Sequence, residues 1–152
     1  MSEQSRTAIG TWEALFRAQV TVLRRLNQEF PNDQLSFNEY DVLFNLSTQD
    51  GRRLRIRDLN RHLLLTQPSV SRLVDRLVAR GLVSKESDPG DGRGTFVVMT
   101  DAGLTQFRRV AAVHSASITR HVGGALSEDE LQQLASLTNK LRLSVDSGGA
   151  RL

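Results

Sequence analysis

The sequence predicts a mainly α-helical fold with one small β-hairpin, an α+β arrangement, and three observations carry that prediction. Three long stretches toward the two ends of the chain repeat apolar residues at three- and four-residue steps, as amphipathic helices do. Between them, residues 66–100 read as a helix with a polar start, a strand, a Gly-rich basic tip and a second strand. Two short helices, a turn and that hairpin fit within residues 54–99, so the long helices lie outside a small central lobe. This order is that of a winged helix-turn-helix core, a recognition helix followed by a hairpin wing, with long N- and C-terminal helices added.

Each element has its own local signal. Trp12, Leu15, Phe16, Val22, Leu23, Leu26 and Phe30 share one face and Pro31 ends the run, which predicts a helix over residues 12–30. Ser36 with Glu39 forms a capping box for a second helix carrying Phe37, Tyr40, Leu43, Phe44 and Leu46. That helix is expected to stop before Asp50-Gly51, glycine being the usual residue of a left-handed helix-ending turn. Residues 54–56 are expected as a short strand and residues 58–64 as a short helix. Thr66 should cap the recognition helix, with Pro68 tolerated in its first turn. Val70, Leu73, Val74, Leu77 and Val78 form its buried stripe, opposite Ser69, Ser71, Arg72, Asp75, Arg76 and Arg80. Gly81 ends it, and residues 82–86 and 95–99 are the wing strands, with 87–94 as the loop between them. Thr100 caps a second long helix with Leu104, Phe107, Ala111, His114, Ile118 and Val122 on one face as far as Gly123-Gly124. Ser127 to Glu130 is another capping box, with Leu126 and Leu131 as a hydrophobic staple, and it announces the last helix.

Composition removes whole classes of function. At 152 residues and 39% apolar, one domain is expected. The N-terminal MSEQSRTAIG lacks a basic start and apolar run, and no stretch approaches the roughly 20 apolar residues of a membrane span, so a cytoplasmic protein without a membrane partner is expected. The absence of cysteine excludes disulfides, thiolate metal sites, Cys nucleophiles and thiol redox sensing. No nucleophile elbow, phosphate-cradling Gly loop or paired His/acid metal motif is present, so neither an enzyme nor a cofactor is expected. His114 and His121 stand seven apart on one helix face, about 10 Å at roughly 1.5 Å per residue, too far to share a metal without a third element.

Charge points instead to nucleic acid. Residues 52–93 hold ten Lys/Arg against five acids, a net of +5 in a chain whose total is +3, which leaves −2 for the rest. The positive charge therefore sits where the helix and wing are read, as phosphate neutralisation requires. Gln67, Ser69, Ser71 and Arg72 near the start of a helix in the major groove would meet base edges. Arg93 on a narrow hairpin suits the negative potential of the minor groove. The long outer helices carry more apolar face than a lobe of this size can cover, so they either cover one another across a two-fold axis or wrap the lobe as a monomeric bundle.

Over almost its whole length the sequence resembles the MarR/SlyA family of bacterial winged-helix regulators. The stretch Gln67-Pro68-Ser69-Val70-Ser71-Arg72-Leu73-Val74-Asp75-Arg76-Leu77, then Arg80-Gly81-Leu82-Val83, is similar to that family's recognition helix and exit strand. Asp91-Gly92-Arg93 and Met99-Thr100-Asp101-Ala102-Gly103 resemble its wing signature and the start of the next helix. The resemblance implies that Ser69 and Arg72 face bases, Ser71 and Arg76 help hold the backbone, Arg93 enters the minor groove and Asp91 steadies it. It also implies a homodimer on a near-palindromic double-stranded operator, acting as a repressor. An effector, a small aromatic acid or other lipophilic molecule, is implied in a cavity beside the dimerisation helices. Trp12, Phe16, Tyr40, Phe44 and His114 are the candidates for its wall, although an aromatic stripe at helical spacing also describes a plain core. On this reading residues 11–30 and 100–145 are dimerisation helices, 36–99 the DNA-binding lobe, and 1–10 and 146–152 flexible ends. The chain departs from the pattern at Arg57, where a small polar cap is usual, so Asp58 serves either as the cap or as a first-turn acid. A winged helix used for architecture or protein contacts, without sequence specificity, is the alternative function.

Overall fold

In the computed structural model, which describes residues 1–63 and 67–148 and only the backbone of His62, Gln67 and Ser147, the chain forms two units. One runs over residues 29–114, and the other comprises residues 1–28 together with the chain from residue 115 onward. In chain order the elements are α1 (Glu3–Glu29), α2 (Phe37–Ser47), β1 (Arg53–Arg55), α3 (Ile56–His62), α4 (Gln67–Ala79), β2 (Val83–Asp88), β3 (Asp91–Met99), α5 (Asp101–Ile118) and α6 (Glu128–Gly148). The mainly helical chain with a small antiparallel sheet is the expected fold class.

Local chemistry sets most element ends in the winged unit. Ser36 Oγ accepts the Glu39 N–H at 3.2 Å while the Ser36 N–H donates to Glu39 Oε2 at 2.9 Å, the expected capping box of α2. α4 buries Val70, Leu73, Val74 and Leu77, but Val78 is 38% exposed and leaves the expected stripe. Gly81, at φ +70°, ends α4: its N–H donates to Val78 O at 2.9 Å and the Leu82 N–H to Leu77 O at 3.0 Å, the paired bonds of a Schellman turn. Thr100 Oγ1 then accepts the Gly103 N–H at 3.0 Å and starts α5. A Cβ at Gly103 would stand 2.0 Å from the Leu82 carbonyl oxygen, so only glycine lets α5 pack this close to the chain entering β2.

The sheet has the order β1-β3-β2 with both pairings antiparallel, and β3 is central. Phe30, Leu43, Leu59, Leu73, Val97 and Val110 belong to one buried cluster beneath it. Fully burying such a side chain contributes about 1.5–3 kcal/mol. Val110 lies in α5, so the first part of that helix belongs to this core, and the unit boundary falls after His114 rather than at residue 100.

Several expectations need correction. α1 begins at Glu3, so residues 3–10 are helical: the Ser5 N–H bonds to Ser2 Oγ at 3.1 Å, a polar cap that an apolar pattern starting at Trp12 does not reveal. α6 likewise runs to Gly148, through residues expected to be flexible, while residues 149–152 lie outside the described residues. Gly51 is left-handed (φ +66°), yet it sits in a 3-10 turn, Asp50–Arg52, after the α2 cap at Thr48. α3 starts at Ile56 without a side-chain cap, and Asp58 is a first-turn acid. Ile118 is 38% exposed, and residues 119–123 form a π turn rather than continuing α5 as an α-helix. At the second unit's other end, Ser127 and Glu130 make the expected box, with the Ser127 N–H donating to Glu130 Oε2 at 2.8 Å. Thr66, read as the cap of α4, lies outside the described residues.

Candidate nucleic-acid interface

α4 presents two chemically different sides. Its apolar stripe is anchored in the core, which turns Pro68, Arg72, Asp75 and Arg76 outward, with Ser69 and Ser71 half-buried beside them. The Arg72 Nε donates to the Pro68 carbonyl oxygen at 3.4 Å, a long bond that leaves the guanidinium exposed. The Gln67 side chain lies outside the described residues.

Arg80, just past the end of α4, is tied down. Arg80 Nη1 lies 2.9 Å from Glu39 Oε2 and Nη2 donates to the Gln34 carbonyl oxygen at 2.6 Å, which pins the end of α4 to the start of α2. Glu39 is 7% exposed and caps α2 with the same carboxylate. Arg76 Nε stands 4.0 Å from Glu39 Oε1 but remains 62% exposed. Asp75 pairs with Lys85 of β2. Arg80, placed on the polar face by its spacing, is thus a structural cation.

The wing differs most from expectation. β2 and β3 extend to Asp88 and Asp91, so the connecting loop is only Pro89-Gly90 instead of residues 87–94. Pairing jumps from Ser87↔Thr95 to Asp88↔Asp91, leaving residues 92–94 as a bulge on β3 that carries the exposed Arg93. Asp91 Oδ1 accepts the backbone N–H of Arg93 at 3.2 Å, so the acid fixes the arginine's main chain, while among the described residues no carboxylate pairs with the Arg93 guanidinium. Asp88, 4% exposed, is the residue that sequence reasoning missed. Its Oδ1 accepts the Gly90 N–H at 2.9 Å and its Oδ2 lies 2.7 Å from Arg55 Nη2 on β1, locking the hairpin to the third strand. The signal was the Asp-Pro-Gly run, a side-chain-bonded turn signature. Arg53 and Arg55 also lie over the Phe96 ring, at 4.0 and 5.4 Å from its centroid.

The five candidate effector residues divide between the units. In the winged unit the His114 ring meets Phe30, Phe37 and Tyr40 edge-on at 5.2 to 5.6 Å, and Tyr40 stacks on Phe44 and Phe107. His114 is buried, among the described residues its Nδ1 has no hydrogen-bond partner, and burial holds its pKa below the ordinary histidine value. Trp12 and Phe16 stack on each other in the other unit, 61% and 50% exposed. That unit contains a large apolar groove, about 950 Å³, lined by Leu15, Val22, Leu131, Leu134 and Leu141 among others, and by none of the five. Among the described residues no cluster of His, Asp and Glu is placed to hold a metal, and no helix is long and apolar enough to cross a membrane.

Comparison with known proteins agrees with this anatomy. A family profile described as MarR family matches residues 33–94, the stretch from before α2 to the wing bulge. The uncharacterized HTH-type transcriptional regulator YkoM of Bacillus subtilis is 28% identical over 138 residues, covering 91% of this chain and 88% of its own. AbsC, a MarR family transcriptional regulator from Streptomyces coelicolor, superposes with a TM-score of 0.81 at 26% identity, over 97% of each chain. Another MarR family regulator from Streptomyces coelicolor, solved in complex with DNA, gives 0.78 at 24% identity over 93% of this chain and 88% of its own. The winged lobe thus matches the MarR family model, and the full-length relatives and solved structures that this chain resembles are MarR family or HTH-type transcriptional regulators.

Proposed function

We propose that this protein is a homodimeric, sequence-specific repressor that reads a near-palindromic duplex with half-sites about one helical turn apart. The observation that carries the reading is the split of α4: four apolar residues anchored in the core, and Pro68, Arg72 and Arg76 exposed beside a wing that exposes Arg93. Ser69 and Arg72 meet base edges, Ser71 and Arg76 the backbone, and Arg93 the minor groove. Arg72→Ala should lose roughly 1–3 kcal/mol and relax preference at one base pair per half-site, while random DNA is bound almost as before. Arg93→Ala should weaken binding most where the flanks are A·T-rich, because narrow minor grooves reward an inserted arginine. Equal losses on every sequence for both variants would overturn this division of labour and favour an architectural binder.

Dimerisation is favoured by the apolar groove of the helical unit, whose Leu134, Leu137 and Leu141 are 44%, 57% and 47% exposed. A second copy is the partner that a closed two-fold assembly supplies. The regulatory signal, in this reading, is a small aromatic acid meeting the Tyr40, Phe44 and His114 rings, Phe44 being 47% exposed. Calorimetric titration of salicylate against free protein and operator complex tests it. Linkage requires weaker binding to the complex, and a hundredfold difference corresponds to about 2.7 kcal/mol. Equal binding to both forms, or none, would leave these rings as core alone.

A further inference from the structure

A second cationic feature lies beside the wing and brings Arg57 to the same cleft as Arg93. A small cleft of about 260 Å³ is lined by Arg55, Ile56 and Arg57 on one side and by Asp91, Arg93, Gly94 and Thr95 on the other. That is far above the roughly 10–15 Å³ one water needs by the same kind of measure, so the cleft has room for a hydrated oxyanion.

The three arginines are not equivalent. Arg55 is neutralised by the buried Asp88 at 2.7 Å and lies over Phe96. Arg57 and Arg93 are both exposed, and among the described residues neither has a carboxylate within 4.0 Å. Asp91 is the one acid of the lining, and its Oδ1 is engaged by the Arg93 backbone N–H. Two unpaired guanidiniums facing one cleft repel each other, and an anion between them removes that repulsion and accepts planar, bidentate hydrogen bonds. Thr95 is part of the same wall.

We propose that this cleft is a phosphate seat in which Arg57 holds the DNA backbone phosphate flanking the groove that Arg93 enters. The inference rests on the duplex-reading function proposed above and adds a sequence-independent clamp to it. Arg57 stands in the first turn of α3, next to β1, and β1 is hydrogen-bonded to β3, which carries Arg93. Clamp and wing are therefore joined through one sheet, so seating the phosphate fixes the depth at which Arg93 is presented.

The test measures affinity of the full chain for a selected operator, a random duplex and a duplex with G·C flanks between about 50 and 200 mM salt. Arg57→Gln should lower the slope of log affinity against log salt by about 0.9 per bound chain, the contribution of one phosphate, and so by about 1.8 for the two-chain complex, by the same amount on all three duplexes. Arg93→Ala should instead lose affinity unevenly, least on the G·C-flanked duplex. An unchanged slope for Arg57→Gln, or a loss confined to one sequence, overturns the seat while leaving the operator reading of the wild-type protein intact. Failure of the wild-type chain to bind any duplex overturns both. In parallel, inorganic phosphate is titrated into free protein at constant ionic strength. Saturable binding that Arg57→Gln abolishes, together with an unchanged DNA slope, would assign the cleft to a free oxyanion and overturn the DNA assignment.

Discussion

In the winged unit Leu43, Leu46, Leu59 and Leu77 are 0% exposed, whereas in the helical unit Leu137 is 57%, Leu141 47% and Leu143 54% exposed. Helical spacing marks Leu43, Leu46 and Leu77 as core, and they are core; Leu137 and Leu141, four residues apart, have equally regular spacing. Periodicity identifies a face that needs cover without saying what covers it. One unit buries a contiguous apolar cluster within its own residues, and the other presents a groove whose apolar wall is left to solvent in a single chain. Stability of the winged unit should thus be a property of the chain, while that of the helical unit should be a property of the solution.

The largest effect that would break this contrast is in the winged core. Leu59→Ala should cost about 2–5 kcal/mol, and the same amount at protein concentrations tenfold apart. Denaturant titration at both concentrations checks it, and a cost that varies between them would put Leu59 in an assembly-dependent region. Gly103→Ala comes next, because its methyl would meet the Leu82 carbonyl oxygen at 2.0 Å. We expect roughly 1–3 kcal/mol of strain from the shift needed, read in the same titration. Leu137→Ala should cost little in dilute protein but weaken self-association by about 1–2 kcal/mol, flattening the dependence of Tm on concentration. A parallel loss at every concentration would make Leu137 a core residue after all.

The smallest effect is on pH. His114 has its folded pKa lowered by burial, so its neutral form is favoured in the folded chain. Its contribution is complete above the unfolded value of 6.5 and is lost as pH falls through 6.5 toward the lowered folded value. His114→Gln should therefore narrow the difference in stability between pH 7.5 and pH 5.5; an unchanged difference would show that His114 does not titrate in this window.

What was legible in the sequence was local. Both capping boxes, the Gly81 turn, the Thr100 cap and the Val70–Leu77 stripe depend on residues three to five apart, where side-chain type and spacing determine the partner. Contacts between distant residues were not. Glu39 was legible as a cap, yet its bond to Arg80, 41 residues away, turns a residue read as part of the DNA face into a brace between α2 and α4. Arg55 and Asp88 meet only because β1 pairs with the far side of β3, and that strand order is invisible until the chain folds. The full length of the wing strands is hidden for a related reason: Gly92, Gly94 and the charges of residues 87–94 signal a loop, and a bulge absorbs them within a ladder. The proposed phosphate seat has the same origin, since Arg57 and Arg93 share a cleft only through that sheet.

The most direct measurement of the central claim joins both units in one experiment. Duplexes selected by the full chain from a random pool are titrated against unselected duplex at matched salt, and the mass of the saturated complex is read by sedimentation. The account requires a selected-to-random affinity ratio of roughly 1,000 or more, with two chains, twice 16.9 kDa, bound per selected duplex. A ratio near one, or a complex saturated by a single chain at full affinity, would contradict it.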